Sequence, residues 1–230
     1  MLLLTGRSEE HLRSCDDGLG SRVRIHQEVL DPFLRLRKDA LEAGFDLRVL
    51  SGFRSFHDQL AIWNQKALGM RPVLDSEANP LDPTRLSRDE LVFAILRWSA
   101  LPGASRHHWG TDLDVFDEAA RPQGYEVDLI PEEVNPGGMF GPLHDWLDER
   151  MGDNTAFGFF RPYDRDRNGV APERWHLSHG PTALPLQEAL TTEALRKAVE
   201  ESEMELKAEV LEHLPEIYQR FVVNVSGTPQ

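Results

Sequence analysis

A chain of 230 residues, 40% hydrophobic and 28% charged, has the composition of a soluble globular protein and is long enough for one sizeable core or two small ones. Twenty-five Lys and Arg against 39 Asp and Glu leave a formal charge of -14 at pH 7. No basic run offsets that charge, so no nucleic-acid partner is expected. The single cysteine, Cys15, excludes an internal disulfide framework and a thiolate zinc cage, each of which needs at least two thiols. No apolar stretch approaches the roughly 18–20 residues of a membrane span, and none is expected. The N-terminus turns polar directly after Met1-Leu2-Leu3-Leu4, without the apolar centre of a signal peptide. A cytoplasmic protein is expected, or a periplasmic one if an export signal has been removed.

Taken in chain order, Val23, Val29, Leu30, Phe33, Leu34, Leu36 and Leu41 recur at helical spacing and predict a helix over 21–43, with Gly44 as its stop. Residues 45–50 alternate as a strand. A second amphipathic helix is predicted from Phe56 or His57 to about 68. The Pro-, Asp- and Ser-rich stretch 71–89 reads as a long surface loop of the kind that walls a cleft. Ser87, with Glu90 three residues on, forms a capping box for a helix to about 98.

Residues 102–110 are turn-rich, 111–116 alternate as a strand, and 125–129 form a short strand-like piece. Residues 143–151 predict a helix, 175–177 a strand, and 191–214 one long helix whose glutamates mark a solvated face. Helices interleaved with short strands predict an α+β fold: a single domain with a small central antiparallel sheet flanked by helices. Residues 1–190 are expected to form that domain, and 191–230 a helical extension packed on it.

Chemistry concentrates in two segments, Ser105-Arg106-His107-His108-Trp109-Gly110-Thr111-Asp112-Leu113-Asp114 and Glu173-Arg174-Trp175-His176. An imidazole and a carboxylate separated by a glycine turn and a strand can converge on one ion, and a His from a neighbouring strand can complete the set. Two His and one carboxylate with an open fourth position is a catalytic zinc ligand set. A straight strand would send Glu173 and His176 to opposite faces, so both can reach one site only if Glu173 precedes the strand or sits at a bend. His11, His26, His57, His144, His179 and His213 read as ordinary surface or core histidines. Asp164 to Gly169 matches half of an EF-hand loop, yet position twelve is Trp175 rather than a bidentate Glu. A polar hairpin turn with Asn168-Gly169 at positive φ is the better reading. No Gly-x-Ser-x-Gly, P-loop or His-Glu-x-x-His motif occurs.

Together the two segments resemble the VanY-like zinc peptidases, the D-alanyl-D-alanine carboxypeptidase family. Ser105, His107, Gly110 and Asp114 fill the family's Ser-x-His-x-x-Gly-x-x-x-Asp, and Glu173, Trp175 and His176 its Glu-x-Trp-His. Ser51-Gly52-Phe53-Arg54-Ser55 with Gln59 is similar to a third motif, with Phe53 in place of the common Tyr. The resemblance covers about residues 28–180. It implies the zinc D,D-peptidase fold, a bound Zn²⁺ held by His107, Asp114 and His176, and Glu173 as general base. It also implies Arg54 beside the substrate, with Ser105 and Gln59 helping to hold that substrate.

Asp112 stands where the family often has Ala. It shares strand parity with Asp114, which makes it a support for the metal site or a rival ligand. His108 adjoins His107 but lacks the family spacing. The expected activity is hydrolysis of the terminal peptide bond of D-residue-containing peptidoglycan stem peptides, of D-Ala-D-Ala or L,D type, by a monomer. An endopeptidase of the same fold and a non-catalytic, zinc-stabilised peptide-binding module are the alternatives.

Overall fold

The computed structural model describes residues 1–16 and 22–227. In chain order they form β1 (Leu12–Asp16), β2 (Arg22–His26), α1 (Gln27–Glu42), β3 (Leu47–Ser51), α2 (Phe56–Ala67), α3 (Arg88–Leu96) and β4 (Asp112–Asp117). These are followed by α4 (Pro131–Val134), α5 (Gly141–Gly152), β5 (Phe159–Phe160), β6 (His176–His179) and α6 (Gly180–Ala189). The helices α7 (Thr192–Glu200), α8 (Lys207–Glu212) and α9 (Leu214–Ile217) close the chain, the last running into a π-helical turn at Tyr218–Val222.

β1 and β2 make a two-stranded antiparallel ribbon. The other strands form one antiparallel sheet in the order β3-β4-β6-β5. β4 is buried along its whole length, with helices and loops covering both faces. Its Leu113 and Val115 point into a core with Leu47, Val49 and Leu177 of the sheet. Against these pack Val29, Phe33, Leu36 and Ala40, the buried face of α1 at helical spacing. Asp112, Asp114 and Phe116 point the other way, as the two-residue period requires.

A second apolar cluster joins Trp63 of α2 and Leu91, Val92, Ile95 and Leu96 of α3 to Leu195, Val199, Val210, Leu214 and Ile217 of the C-terminal helices. The whole is a single α+β domain of mixed helices and small antiparallel sheets, as expected. The β4–β6 pair lies at its centre.

Several boundaries depart from the expectations. The helix predicted over 21–43 begins at Gln27, because Arg22–His26 pairs with β1 instead; residue 21 lies outside the described residues. β-branched Val23 and Ile25 favour that strand, and the His26 ring caps the helix by accepting from the Glu28 N–H. Gly44 follows α1 at φ +96°, the stop its position predicted.

Residues 125–129 form no strand. Their chain is folded around Glu133, which accepts from the Tyr125 hydroxyl and the Asp128 N–H. The helix predicted over 191–214 is broken between Glu200 and Lys207. There Trp63 and Asn64 of α2 donate to the carbonyls of Glu205 and Glu203, and Leu206 adopts φ +60°. Tertiary bonds win over helix propensity at that point. The loop at 164–169 has Asn168 at φ +60°, as expected, but it is not a tight hairpin turn: it lies inside the long connection from β5, ending at Phe160, to β6, starting at His176. Its Asp166 pairs with Arg97.

Candidate metal centre and active site

Ser51-Gly52-Phe53-Arg54 leaves β3 through a register shift between Val49 and Ser51 and runs beside the turn carrying His107. Gly52 has to be small, since a Cβ there would lie 2.6 Å from the Arg24 carbonyl oxygen. Its own carbonyl oxygen is 2.8 Å from Nδ1 of His107 and accepts its proton, leaving Nε2 free to face inward. His107 sits on a short 3-10 turn, Arg106–Trp109, that Gly110 ends at φ +67°. From there the chain enters β4 directly, and two turns of pleat bring Asp114 back beside His107.

Nε2 of His107 lies 3.3 Å from Oδ2 of Asp114. Asp114 is paired in register with His176 on β6, whose Nδ1 is 3.4 Å from Oδ1 of Asp114. One ligand atom from each of His107, Asp114 and His176 lies within 4.8 Å of the others, and all three residues are buried. Donors bound tetrahedrally to an ion at about 2.0–2.1 Å stand about 3.3–3.4 Å apart, so the spacing and the chemistry of the set fit zinc. Oδ1 of Asp114 is a buried acceptor with no hydrogen-bond donor, as an oxygen kept for a cation would be.

Glu173 precedes β6 in a turn closed by the His176 N–H on the Glu173 carbonyl, so the expected bend is there. Its Oε2 lies 3.3 Å from Nδ1 of His176, on the same side as Asp114. The other ring nitrogen, Nε2, is 3.0 Å from Oδ1 of Asp112. Asp112 is therefore behind His176 and not a rival ligand. It is itself held by the buried Arg106 (Nε to Oδ1, 2.7 Å) and by the Thr111 hydroxyl at 2.6 Å. A carboxylate on the far nitrogen fixes the ring's tautomer and orientation and makes the facing nitrogen more basic.

Burial opposes charge throughout this cluster, but the neighbours override it. The carboxylates of Asp112, Asp114 and Glu173 around it hold His176 well above its ordinary value. His107 and His176 hold Asp114 well below the usual carboxylate range, and Arg106 and His176 do the same for Asp112.

His108 points away from the centre. Its Nδ1 donates to the Arg54 carbonyl at 2.7 Å and its Nε2 accepts from the Gly103 N–H at 3.0 Å, so it braces the Arg54 segment. The Arg54 guanidinium stands 4.0 Å from Asp114 and is steadied by Gln59 Oε1 at 3.0 Å and Ser51 Oγ at 3.1 Å. Gln59 is fully buried, and its amide nitrogen donates to the Ala100 carbonyl. Both ends of its amide are thus engaged, and it positions Arg54.

Ser105, Arg54, Glu173 and the three candidate ligands line one cavity of about 350 Å³. Arg71 and Leu74 from the 71–89 loop wall it, as that loop's composition suggested. Sequence reasoning passed over Arg106, whose support of Asp112 needed the fold, and Tyr163, whose ring packs edge-on to His176 at 5.1 Å. Burial raises the Tyr163 hydroxyl to about 12, which keeps it a donor.

Comparison with known proteins accords with this geometry. A protein of Haemophilus influenzae without assigned function is 34% identical over 126 residues, covering 54% of this chain and 93% of the relative. A D-alanyl-D-alanine carboxypeptidase of Enterococcus faecalis is 27% identical over 164 residues, covering 70% of this chain but 49% of that protein. Among solved structures, a VanY D,D-pentapeptidase variant in complex with Zn(II) matches with a TM-score of 0.50 at 20% identity, covering 88% of this chain and 92% of its own. The LD-carboxypeptidase LdcB matches with a TM-score of 0.52 at 19% identity, covering 89% and 79%. At such identities these structures speak for the fold alone. The sequence model of the VanY D-alanyl-D-alanine carboxypeptidase family matches residues 22–182, and the chain belongs to that family.

Proposed function

We propose that this protein is a zinc carboxypeptidase that removes the terminal residue of D-residue-containing peptidoglycan stem peptides, of D-Ala-D-Ala or L,D type. The observation that carries this reading is the placement of Glu173 beside the convergent His107, Asp114 and His176 in one cavity. A purely structural zinc site closes its fourth position and has no use for a free carboxylate there. The family match and the names of the relatives support the substrate class.

Zinc, when bound by His107 Nε2, Asp114 and His176 Nδ1, supplies a Lewis acid for the scissile carbonyl and for water. Glu173 takes the proton of the attacking water at a carboxylate oxygen and returns it to the leaving amine. Arg54, fixed by Gln59 and Ser51 next to Asp114, offers a cation to the oxygen that gains charge in the tetrahedral intermediate. Ser105, at the cavity wall, helps hold the peptide. Asp112 keeps His176 oriented and does not touch substrate.

Incubating the zinc-loaded protein with a panel of muropeptides and weighing the products tests the proposal. Loss of one terminal residue is expected. Release of larger fragments would point to an endopeptidase, and no cleavage to a binding module.

A further inference from the structure

The cleft holds two cations that the reaction described above does not use. Lys66, on the last turn of α2, and Arg71, just beyond it, both line the cavity with Arg54 and Glu173. Among the described residues neither side chain makes a hydrogen bond or an ion pair. The cleft carboxylates Asp114, Asp128 and Glu173 all lie beyond 4.0 Å of them. That is unusual in a chain of formal charge -14, where acids outnumber bases 39 to 25 and most arginines of the fold are paired.

Lys66 is half-buried, and its charge is disfavoured by burial and by Arg71, with Glu173 offsetting them only in part. Two neighbouring cations that repel each other and have no carboxylate within ion-pair distance are stabilised by an arriving anion. The fork of Arg71 suits a carboxylate, and Lys66 adds a point charge beside it.

We propose that Lys66 and Arg71 form a carboxylate subsite that selects peptides with an acidic group a short distance N-terminal to the cut bond. This rests on the carboxypeptidase reading for the direction in which the peptide lies. The distance comes from α2. Gln59, which positions Arg54 at the reacting centre, and Lys66 are seven residues apart and so share one helix face. At 1.5 Å per residue they stand about 10 Å apart along the axis. An extended peptide covers that in about three residues at roughly 3.3 Å each. The selected group is therefore a carboxylate about three residues before the cut, and its carboxamide counterpart is disfavoured.

Binding of two pentapeptides ending in D-Ala-D-Ala tests this. They are alike except that the third residue before the cut bond bears a free carboxylate in one and a carboxamide in the other. Calorimetry on the zinc-loaded Glu173→Gln protein, which lets both peptides bind without turnover, is expected to give at least a tenfold preference for the acid. That preference should fall to about one in a background carrying Lys66→Gln and Arg71→Gln as well. Should the combined variant fold poorly, exposed Arg71→Gln alone is expected to cut the preference at least threefold. Equal affinity for the two peptides, or a preference that survives both substitutions, overturns the proposal. The wild-type protein's turnover of the same peptides separates the two readings. An acid preference without cleavage supports the subsite and removes the D,D-carboxypeptidase reading, whereas cleavage without the preference does the reverse.

Discussion

Asp114 and His176 face each other directly across the β4–β6 ladder, and the Asp114 carboxylate lies 3.4 Å from Nδ1 of His176. Side chains opposite one another on antiparallel strands start only about 4.5–5.5 Å apart at Cβ. The sheet therefore places two of the three candidate ligands without help from any loop. His107 is different: it reaches the pair from a short turn, and the geometry of that turn depends on Gly110.

Gly110 sits at φ +67°, and a Cβ on it would lie 2.8 Å from the backbone nitrogen of His26 and 2.7 Å from Leu12. The left-handed conformation alone costs an L-residue roughly 1–2 kcal/mol, and the backbone contact adds to it. Gly110→Ala is expected to lower stability by at least about 2 kcal/mol in denaturant unfolding and to reduce zinc content as His107 shifts. A variant within 0.5 kcal/mol of the parent would show that the turn adapts freely.

This dependence explains which parts of the site were legible in the sequence. His107, Gly110, Asp114, Glu173 and His176 sit in short motifs whose spacing follows from a turn, a two-residue pleat and a bend, so local rules place them. The even separation of Asp112 and Asp114 likewise put both carboxylates on one face. The bracing of Arg54 by Gln59 was not legible, because a helix position alone does not tell that its amide also reaches the Ala100 carbonyl. Arg106 was missed because its partners, Ser178 at 2.7 Å and Gln187, come from segments some seventy to eighty residues away. The long helix predicted over 191–214 failed for a similar reason, since the bonds that break it come from Trp63 and Asn64.

Asp112 offers a test of support without contact. It accepts from His176 Nε2 at 3.0 Å and lies behind the ring, away from the cavity. Replacing groups that orient a ligand in this way typically costs about 10–100-fold in metal affinity. Asp112→Asn, which keeps the shape, is expected to weaken zinc binding in competition with a chelator by that factor. It also leaves Arg106 without its buried counter-ion, so the melting temperature should fall. Unchanged zinc affinity would mean that the strand alone orients His176.

Stability should fall in mild acid for a reason remote from the centre. His11 is buried beside His26, their rings 5.3 Å apart. Burial first, and His26 second, lower its pKa from 6.5 to about 4, against the opposing pull of the Trp109 backbone and Glu9. Between these values the unfolded chain binds a proton that the folded chain does not, so stability is full above pH 6.5 and is lost as the pH falls toward 4. The loss from His11 is on the order of 1 kcal/mol by pH 5. His11→Phe is expected to flatten the stability profile between pH 7 and 5, read from urea midpoints. Parallel profiles for the two proteins would assign the acid sensitivity elsewhere.

The chemistry assigned to Glu173 makes the sharpest forecast. Three buried donors already suffice for a catalytic zinc, so a fourth side chain, the acidic Glu173 3.3 Å from His176, is free to move protons. Glu173→Gln keeps the size of the side chain and a hydrogen-bonding oxygen, but its carboxamide cannot accept the water's proton. Positioned acid–base groups contribute about 10² to 10⁴ in rate, and one residue serving both proton transfers belongs at or above that range. Turnover of a D-Ala-D-Ala peptide is therefore expected to fall at least about 100-fold, with zinc content unchanged. Were Glu173 only a brace for the turn before β6, the outcome would invert. The melting temperature would drop while activity per folded molecule stayed intact, because the loss would lie in the Glu173–His176 contact and not in proton transfer. Zinc content, melting temperature and turnover measured on one preparation distinguish the two. Near-normal turnover at full zinc occupancy would remove Glu173 from the mechanism.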